Sequence, residues 1–183
     1  MYTDFTKYGR LLFDQGLNNS HSGNMSFCQD HSIYITRHGA RLCDITYEDI
    51  VKVNLTDPSK DKDASVEIKV HRAVYAACPQ IHAIAHAHAP HAVVLSLDRP
   101  EIKPIDDEGK FYLPTIPILS AANTISSDEV AEKLPALLGK YKTAIVRGHG
   151  VFAAGTSIEE ATMYASVTEN ICKLLYLHEL LKK

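Results

Sequence analysis

Apolar positions recur at helical spacing at both ends of the chain. Between positions 5 and 12 they fall on one face, and this pattern predicts a helix that ends near Gly16. A second run with the same spacing begins at Ser157 and continues to the carboxyl terminus. Cap residues and a closing glycine or proline predict further helices over 65–77, 91–97 and 127–138.

Shorter apolar runs bounded by turn residues predict strands. These runs lie at 25–28, 32–36, 51–55, 83–89 and 144–147. Positions 18–24 are too rich in Asn, Ser and Gly for regular structure, and 56–63 reads as an exposed charged loop. The segment 44–50 predicts a helical turn, and 102–118 predicts irregular chain with one short strand.

Helices and strands alternate irregularly, without repeats or a long linker. We therefore predict a single domain over 1–183 of α/β class, close to α+β, in which helices flank a central, mostly antiparallel β-sheet. A length of 183 residues is enough to bury a core without disulfides.

Composition and charge narrow the function classes. The formal net charge is -3, which argues against nucleic acid as the main partner. No apolar run approaches the roughly 20 residues that a membrane helix needs, and the first residues lack a signal-peptide pattern. The four cysteines are scattered without a C-x-x-C pair and are expected to be reduced. These features predict a cytoplasmic protein.

Histidine is the unusual component of the sequence. There are 10 histidines, and five of them lie between His71 and His91. His86 and His88 are two positions apart in a predicted strand, so both rings project from one face with Cβ atoms about 7 Å apart. This geometry suits two ligands of one metal ion, because imidazole is the commonest metal ligand. The alternative is a pair of hydrogen-bonded histidines in the core.

A third ligand is expected, because catalytic zinc usually has three protein ligands and an open position. His149, between two glycines at the end of a strand, is the main candidate, and His91 is its rival. Glu67 precedes a predicted helix, with His71 one turn further on the same face. Its carboxylate is either a ligand and proton carrier or a group favoured by the helix dipole, and spacing alone does not choose.

These motifs occur together in a known order. Ser22-Gly23-Asn24-Met25-Ser26 is followed by the Ile35-Thr36-x-x-Gly39 turn, then by Ser65-x-Glu67-x-x-x-His71, His86-x-His88 and Gly148-His149-Gly150. Along nearly its whole length the chain resembles the class II aldolase/adducin family, especially L-fuculose-1-phosphate aldolase-like enzymes.

The resemblance implies a zinc enzyme. His86, His88 and His149 match the family's metal histidines, and Mn²⁺ or Co²⁺ could replace Zn²⁺. Glu67 matches the carboxylate that binds the empty metal and then acts as acid and base. The family also implies a homotetramer with active sites between subunits, a central antiparallel sheet, and a small sugar phosphate as substrate.

The resemblance also implies a phosphate pocket. Asn18, Asn24, Gly39 and Ser65 match its positions. His21, His38 and Val66 depart from the pattern, which has Thr, Thr and Ser there. Two imidazoles can replace the missing donors, or they can indicate a different group on the substrate.

The expected reaction is cleavage or formation of a ketose 1-phosphate, with dihydroxyacetone phosphate and an aldehyde as products. A cation stabilises the enediolate charge that such a cleavage leaves. The alternatives are a sugar-phosphate dehydratase or 4-epimerase of the same superfamily, a non-catalytic adducin-like assembly domain, and a metal storage or transport protein. The chain is also expected to lack the carboxyl-terminal extension of longer relatives, so the resemblance implies no particular aldehyde.

Overall fold

An eight-stranded sheet forms the centre of the computed structural model, which describes residues 1–182. In chain order its strands are β1 (Asn24–Gln29), β2 (Ser32–Thr36), β3 (Ile50–Asn54), β4 (Ala83–Ala87), β5 (Glu101–Ile102), β6 (Ile116–Leu119), β7 (Thr143–Val146) and β8 (Gly150–Gly155). Their order across the sheet is β3-β2-β1-β4-β8-β7-β6-β5. Of the strand pairs in this sheet, only β6 and β7 are parallel, which confirms the predicted mostly antiparallel sheet.

Helices cover both faces of this sheet. They are α1 (Tyr2–Asp14), α2 (Ile68–Ala77), α3 (Pro90–Ser96), α4 (Asp107–Tyr112), α5 (Asp128–Leu138) and α6 (Ile158–Leu180), and short 3₁₀ turns lie at Leu42–Asp44, Tyr47–Asp49 and Pro58–Lys60. Among the described residues, none of the helices has both the length and the apolar character needed to cross a bilayer.

The core is divided between the two faces of the sheet. On one face, α6 packs against β4, and residues of α1 and α3 belong to the same core cluster as Ala83, Ala85 and Ala87. On the other face, α2 and α5 pack against Ile84 and Phe152. Side chains alternate along a strand, so His86 projects from the same face as Ile84, beneath the start of α2. The alternation within β4 therefore directs this histidine towards the helix that follows Glu67.

Strand β8 was not predicted from the sequence. Its residues Gly-Val-Phe-Ala-Ala-Gly are all buried and form an antiparallel hairpin with β7. A strand buried on both faces shows no alternation of polar and apolar residues, so periodicity does not reveal it. The missed strand lies beside β4 and carries Phe152 directly opposite His86.

Other differences concern the ends of elements and the segment 102–118. This segment contains the unpredicted helix α4, which begins after Asp106, whose carboxylate accepts a hydrogen bond from the backbone N–H of Gly109 at 2.8 Å. It also contributes to two strands, β5 and β6, where one was expected. Strand β4 ends at Ala87, so His88 lies just beyond it, and α2 begins at Ile68.

A carboxylate from α6 holds the start of α3. Glu169 accepts hydrogen bonds from the backbone N–H groups of His91 (3.2 Å) and Ala92 (3.1 Å) and from Nδ1 of His91 (2.6 Å). The ring of His91, the alternative to His149 as third ligand, is therefore hydrogen-bonded to Glu169. Glu169 is buried, so its hydrogen bonds are sheltered from water.

We expect Glu169→Gln to lower the free energy of unfolding by ~1–3 kcal/mol, because charge-assisted hydrogen bonds to a buried carboxylate are replaced by weaker ones. Urea denaturation followed by circular dichroism measures this change. Glu159→Gln is the control, since Glu159 is exposed on the same helix. Equal unfolding midpoints for the two variants would show that the cap contributes nothing.

Candidate metal centre and active site

The rings of His86, His88 and His149 lie close together in the structure. Their centroids lie 4.9 Å apart for His86 and His88, 4.7 Å for His86 and His149, and 4.9 Å for His88 and His149. Each ring offers one nitrogen, and these nitrogens all lie within 4.8 Å of one another. Three imidazole nitrogens at this spacing can converge on a single cation.

Pairing of β4 with β8 produces this convergence. His86 lies on β4 and His88 just after it, while His149 lies in the turn between β7 and β8. The backbone N–H of His149 donates to the carbonyl of Val146 at 3.0 Å, which closes this turn. Gly150 is required there, because a Cβ at this position would lie 2.4 Å from the carbonyl oxygen of Ala87.

The protonation of the three rings suits a cation. Nδ1 of His86 lies 3.0 Å from the carbonyl oxygen of Val151, which can only accept, so Nδ1 carries the hydrogen and Nε2 keeps its lone pair. Burial, together with His149 and His88, holds the pKa of His86 well below its usual value. Burial also lowers the pKa of His88, and burial with the nearby His88 lowers the pKa of His149 to about 4. Neutral imidazoles are the form that binds metal.

Glu67 lies directly before α2 and is buried. Its Oε1 accepts a hydrogen bond from the backbone N–H of Ser126 at 2.9 Å, whereas its Oε2 is buried and has no hydrogen-bond partner among residues 1–182. Burial raises its pKa, although the Ser126 N–H and the Lys69 charge act in the opposite direction. The carboxylate makes no capping hydrogen bond to the helix.

One cavity joins Glu67 to the three histidines. It has a volume of about 360 Å³, and its wall also includes Asn24, Gly39, Ser65, His21 and His38. Five of the six residues expected to bind substrate therefore line the same space. In the part of the chain described, the group of mutually close potential ligands consists of the three histidines, and Glu67 is outside it.

Asn18, the sixth of these residues, does not line the cavity but binds the backbone of His88. Its Oδ1 accepts a hydrogen bond from the backbone N–H of His88 at 3.0 Å. Gly23, with φ +78°, passes so close that an added Cβ would lie 2.6 Å from the Asn18 amide. Asn18 thus connects the polar segment 18–24 to the backbone of a candidate ligand.

His71 belongs to a buried series of hydrogen-bonded polar side chains. Its Nδ1 lies 2.6 Å from Oγ of Ser26, and this Oγ lies 2.6 Å from the hydroxyl of Tyr75. The ring also meets the edge of Phe152, whose face stacks on His86. Burial lowers the pKa of His71 to about 3.

This burial predicts an acid-sensitive fold. An unfolded chain protonates His71 below its usual pKa of 6.5, whereas the folded chain resists protonation down to about 3. The contribution of His71 to stability is therefore complete above pH 6.5 and is lost as the pH falls towards 3. Between pH 6.5 and 5, we expect the wild type to lose ~2 kcal/mol more than His71→Gln. Urea denaturation at both pH values tests this, and parallel losses would contradict it.

Two residues at the site, Arg37 and Ser126, were not predicted from the sequence. Arg37 lines the cavity, although the sequence showed only a basic residue beside the His38-Gly39 turn. Ser126 acts through its backbone N–H, and it has a positive φ of 49° in the loop before α5. A backbone donor has no side-chain signature, so no pattern in the sequence indicates it.

Comparisons with known proteins identify the family of the chain. The profile of the Class II Aldolase and Adducin N-terminal domain matches residues 3–176. The chain is 28% identical over 182 residues to an L-fuculose phosphate aldolase of Methanocaldococcus jannaschii, covering 98% of this chain and 97% of that protein. It is 28% identical over 170 residues to a 5-methylthioribulose-1-phosphate/5-deoxyribulose-1-phosphate aldolase of Escherichia coli, covering 90% and 78%.

A solved structure is also similar to this chain. The crystal structure of L-fuculose-1-phosphate aldolase from Thermus thermophilus superimposes with a TM-score of 0.95 and 33% sequence identity. The superposition covers 99% of this chain and 95% of that one. The similarity therefore extends over nearly the whole chain.

Proposed function

Because the chain belongs to the class II aldolase and adducin family, we propose that it is a metal-dependent lyase acting on a ketose 1-phosphate, with dihydroxyacetone phosphate and an aldehyde as its cleavage products. The observation that carries this proposal is the cavity in which three histidine rings and a buried carboxylate line the same space.

The three histidines would hold the cation. A set of three neutral imidazole nitrogens suits Zn²⁺, and Mn²⁺ or Co²⁺ can occupy the same donors. When bound, the cation supplies Lewis-acid stabilisation of the negative charge that develops as the carbon–carbon bond breaks. Ligation by Glu67 before substrate binds stays a prediction.

Glu67 is the proposed acid and base. Its burial raises its pKa, so it holds a proton more readily at neutral pH than an exposed carboxylate does. It would accept the proton of the substrate hydroxyl during cleavage and return a proton to carbon. Ser126 fixes Oε1, which leaves Oε2 as the atom that carries the proton.

The remaining lining residues would bind the substrate. Asn24, Gly39 and Ser65 offer small polar groups, and His21 and His38 add imidazole donors to the same cavity. Asn18 contributes indirectly by holding the backbone of His88. We assign the anionic end of the substrate to this part of the wall.

Assembly is proposed with the same function. The chain, taken as one domain over 1–183 in the cytoplasm, would form a homotetramer with active sites between subunits. Phe111 and Leu181 are 80% and 86% exposed, and such large apolar side chains are candidates for burial against another subunit. Light scattering of the purified protein tests the tetramer.

An assay of bond cleavage tests the reaction. The zinc-loaded protein is incubated with fuculose 1-phosphate, 5-deoxyribulose 1-phosphate and 5-methylthioribulose 1-phosphate, and the products are identified by nuclear magnetic resonance. Release of an aldehyde together with dihydroxyacetone phosphate supports the proposal. Loss of water or inversion at a carbon would instead identify the dehydratase or the 4-epimerase, and no conversion would favour an adducin-like assembly role.

A further inference from the structure

Arg37 is held rigidly at the wall of the active-site cavity. It follows β2, where its backbone N–H donates to the carbonyl of Asp49 at 2.7 Å and its backbone forms a bridge with Ala64. Its side-chain Nε donates to Oδ1 of Asp49 at 2.6 Å. Both the backbone and the guanidinium are therefore fixed by neighbouring chain.

Asp49 is a firm anchor for this arginine. Its Oδ2 accepts hydrogen bonds from the backbone N–H and the hydroxyl of Thr46, each at 2.8 Å. Burial acts to raise the pKa of Asp49, but the hydrogen bonds from Thr46 and Arg37 outweigh it, so the pKa is lowered and the group is ionised at neutral pH. A surface ion pair between two mobile side chains lacks this support.

The other edge of the guanidinium is available for a ligand. Across residues 1–182, the guanidinium hydrogen bonds of Arg37 are confined to Nε, which leaves both terminal nitrogens as free donors. The side chain is 48% exposed. Arg37 lines the cavity that holds Glu67 and the three histidines, and it also lines the adjoining groove that contains His21, Gly39 and Asp49. A planar fork with one edge fixed is oriented for two parallel hydrogen bonds to an oxyanion.

The wall near Arg37 contains an apolar position that offers no donor to an anion. Val66 lies between Ser65 and Glu67, is 43% exposed and lines the cavity, but its side chain has no hydrogen-bonding group. A phosphate dianion has three terminal oxygens, and each needs donors when water is removed. Arg37 provides two donors and a positive charge where Val66 provides none.

We propose that Arg37, oriented by Asp49, is the specificity-determining residue that selects a phosphorylated substrate over its unphosphorylated counterpart. This inference rests on the proposed function, which assigns the acid–base role to Glu67 and metal binding to the three histidines. It identifies which side chain of this protein recognises the anionic end, a role that the sequence did not assign.

Two ligands that differ only in phosphate isolate this role. Glycolohydroxamate and its phosphate ester share the chelating group, so the ratio of their dissociation constants measures the contribution of the phosphate. Isothermal titration of the zinc-loaded wild type, Arg37→Gln and Arg41→Gln gives this ratio. Arg41 is the matched control, because it is an exposed arginine paired with Asp44 that lines the adjoining groove but not the cavity of Glu67 and the histidines.

For Arg37→Gln we expect the preference for the phosphate ester to fall by about 10-fold or more, as expected for losing charge-assisted hydrogen bonds. Affinity for unphosphorylated glycolohydroxamate should stay within about 2-fold, and Arg41→Gln should keep the wild-type ratio. An unchanged ratio in Arg37→Gln, or an equal fall in both variants, would overturn the proposal.

The titration separates this inference from the proposed reaction, because it needs no turnover. A wild type that splits a ketose 1-phosphate while Arg37→Gln keeps the full phosphate preference would refute the role of Arg37 alone. A fall in the ratio with no turnover of any ketose phosphate would support the role of Arg37 and refute the lyase.

Discussion

Glu67→Gln is expected to lower kcat by about 100- to 10,000-fold, the range that general acid–base groups contribute. Glutamine keeps the shape of the side chain and an oxygen that can accept the N–H of Ser126, which lies 2.9 Å from Oε1 in the wild type. It cannot carry a proton. Steady-state assay of the zinc-loaded variant measures kcat, and elemental analysis measures the metal, which we expect to remain bound.

Stability provides a second readout for the same variant. The wild-type carboxylate is buried, and its Oε2 has no hydrogen-bond partner within the described chain. An unpaired buried acid is costly, so Glu67→Gln should unfold at the same or a higher temperature. Glu132→Gln, on the exposed face of α5, should leave kcat and the melting temperature unchanged. Full activity in Glu67→Gln would remove the proposed acid and base.

His149→Ala is expected to weaken zinc binding by at least about 100-fold and to abolish turnover with it. Two imidazoles would remain, His86 and His88, which is one fewer than catalytic zinc sites commonly use. The purified wild type should contain one zinc per chain, and the variant should contain almost none. Inductively coupled plasma analysis of protein made without a histidine tag measures this content.

The control for this experiment is another histidine. His82 is exposed just before β4, so His82→Ala removes an imidazole without touching the cluster. It should keep the wild-type zinc content, and its melting temperature should fall on chelation as the wild type's does. The melting temperature of His149→Ala should not respond to a chelator. A full zinc content in His149→Ala would show that the three rings do not act as one site.

Local sequence patterns predicted the helices and strands that show a regular spacing of apolar residues or clear turn residues at their ends. Helices α1, α5 and α6 present apolar residues at helical spacing, and strands β1 to β3 are bounded by turn residues, so their existence follows from short stretches of sequence. The buried strand β8 and the six-residue helix α4 lack such a signal. They form because the sheet and α6 provide surfaces against which they pack.

For the candidate site, too, some features could be predicted from the sequence and others only from the tertiary structure. The spacing of His86 and His88, the glycines around His149 and the position of Glu67 are visible in the sequence, and with the resemblance they identified the candidate residues. The tertiary structure decided that these groups share one cavity, that Arg37 lines it, and that the backbone of Ser126 donates a hydrogen bond to Glu67.

The physical reason for this division is the range over which each interaction acts. Strand pairing and backbone hydrogen bonds bring His21, near the amino terminus, to the same cavity wall as His149, near the start of the last strand. Contacts between residues so distant along the chain depend on the register of the whole sheet, which no local pattern specifies.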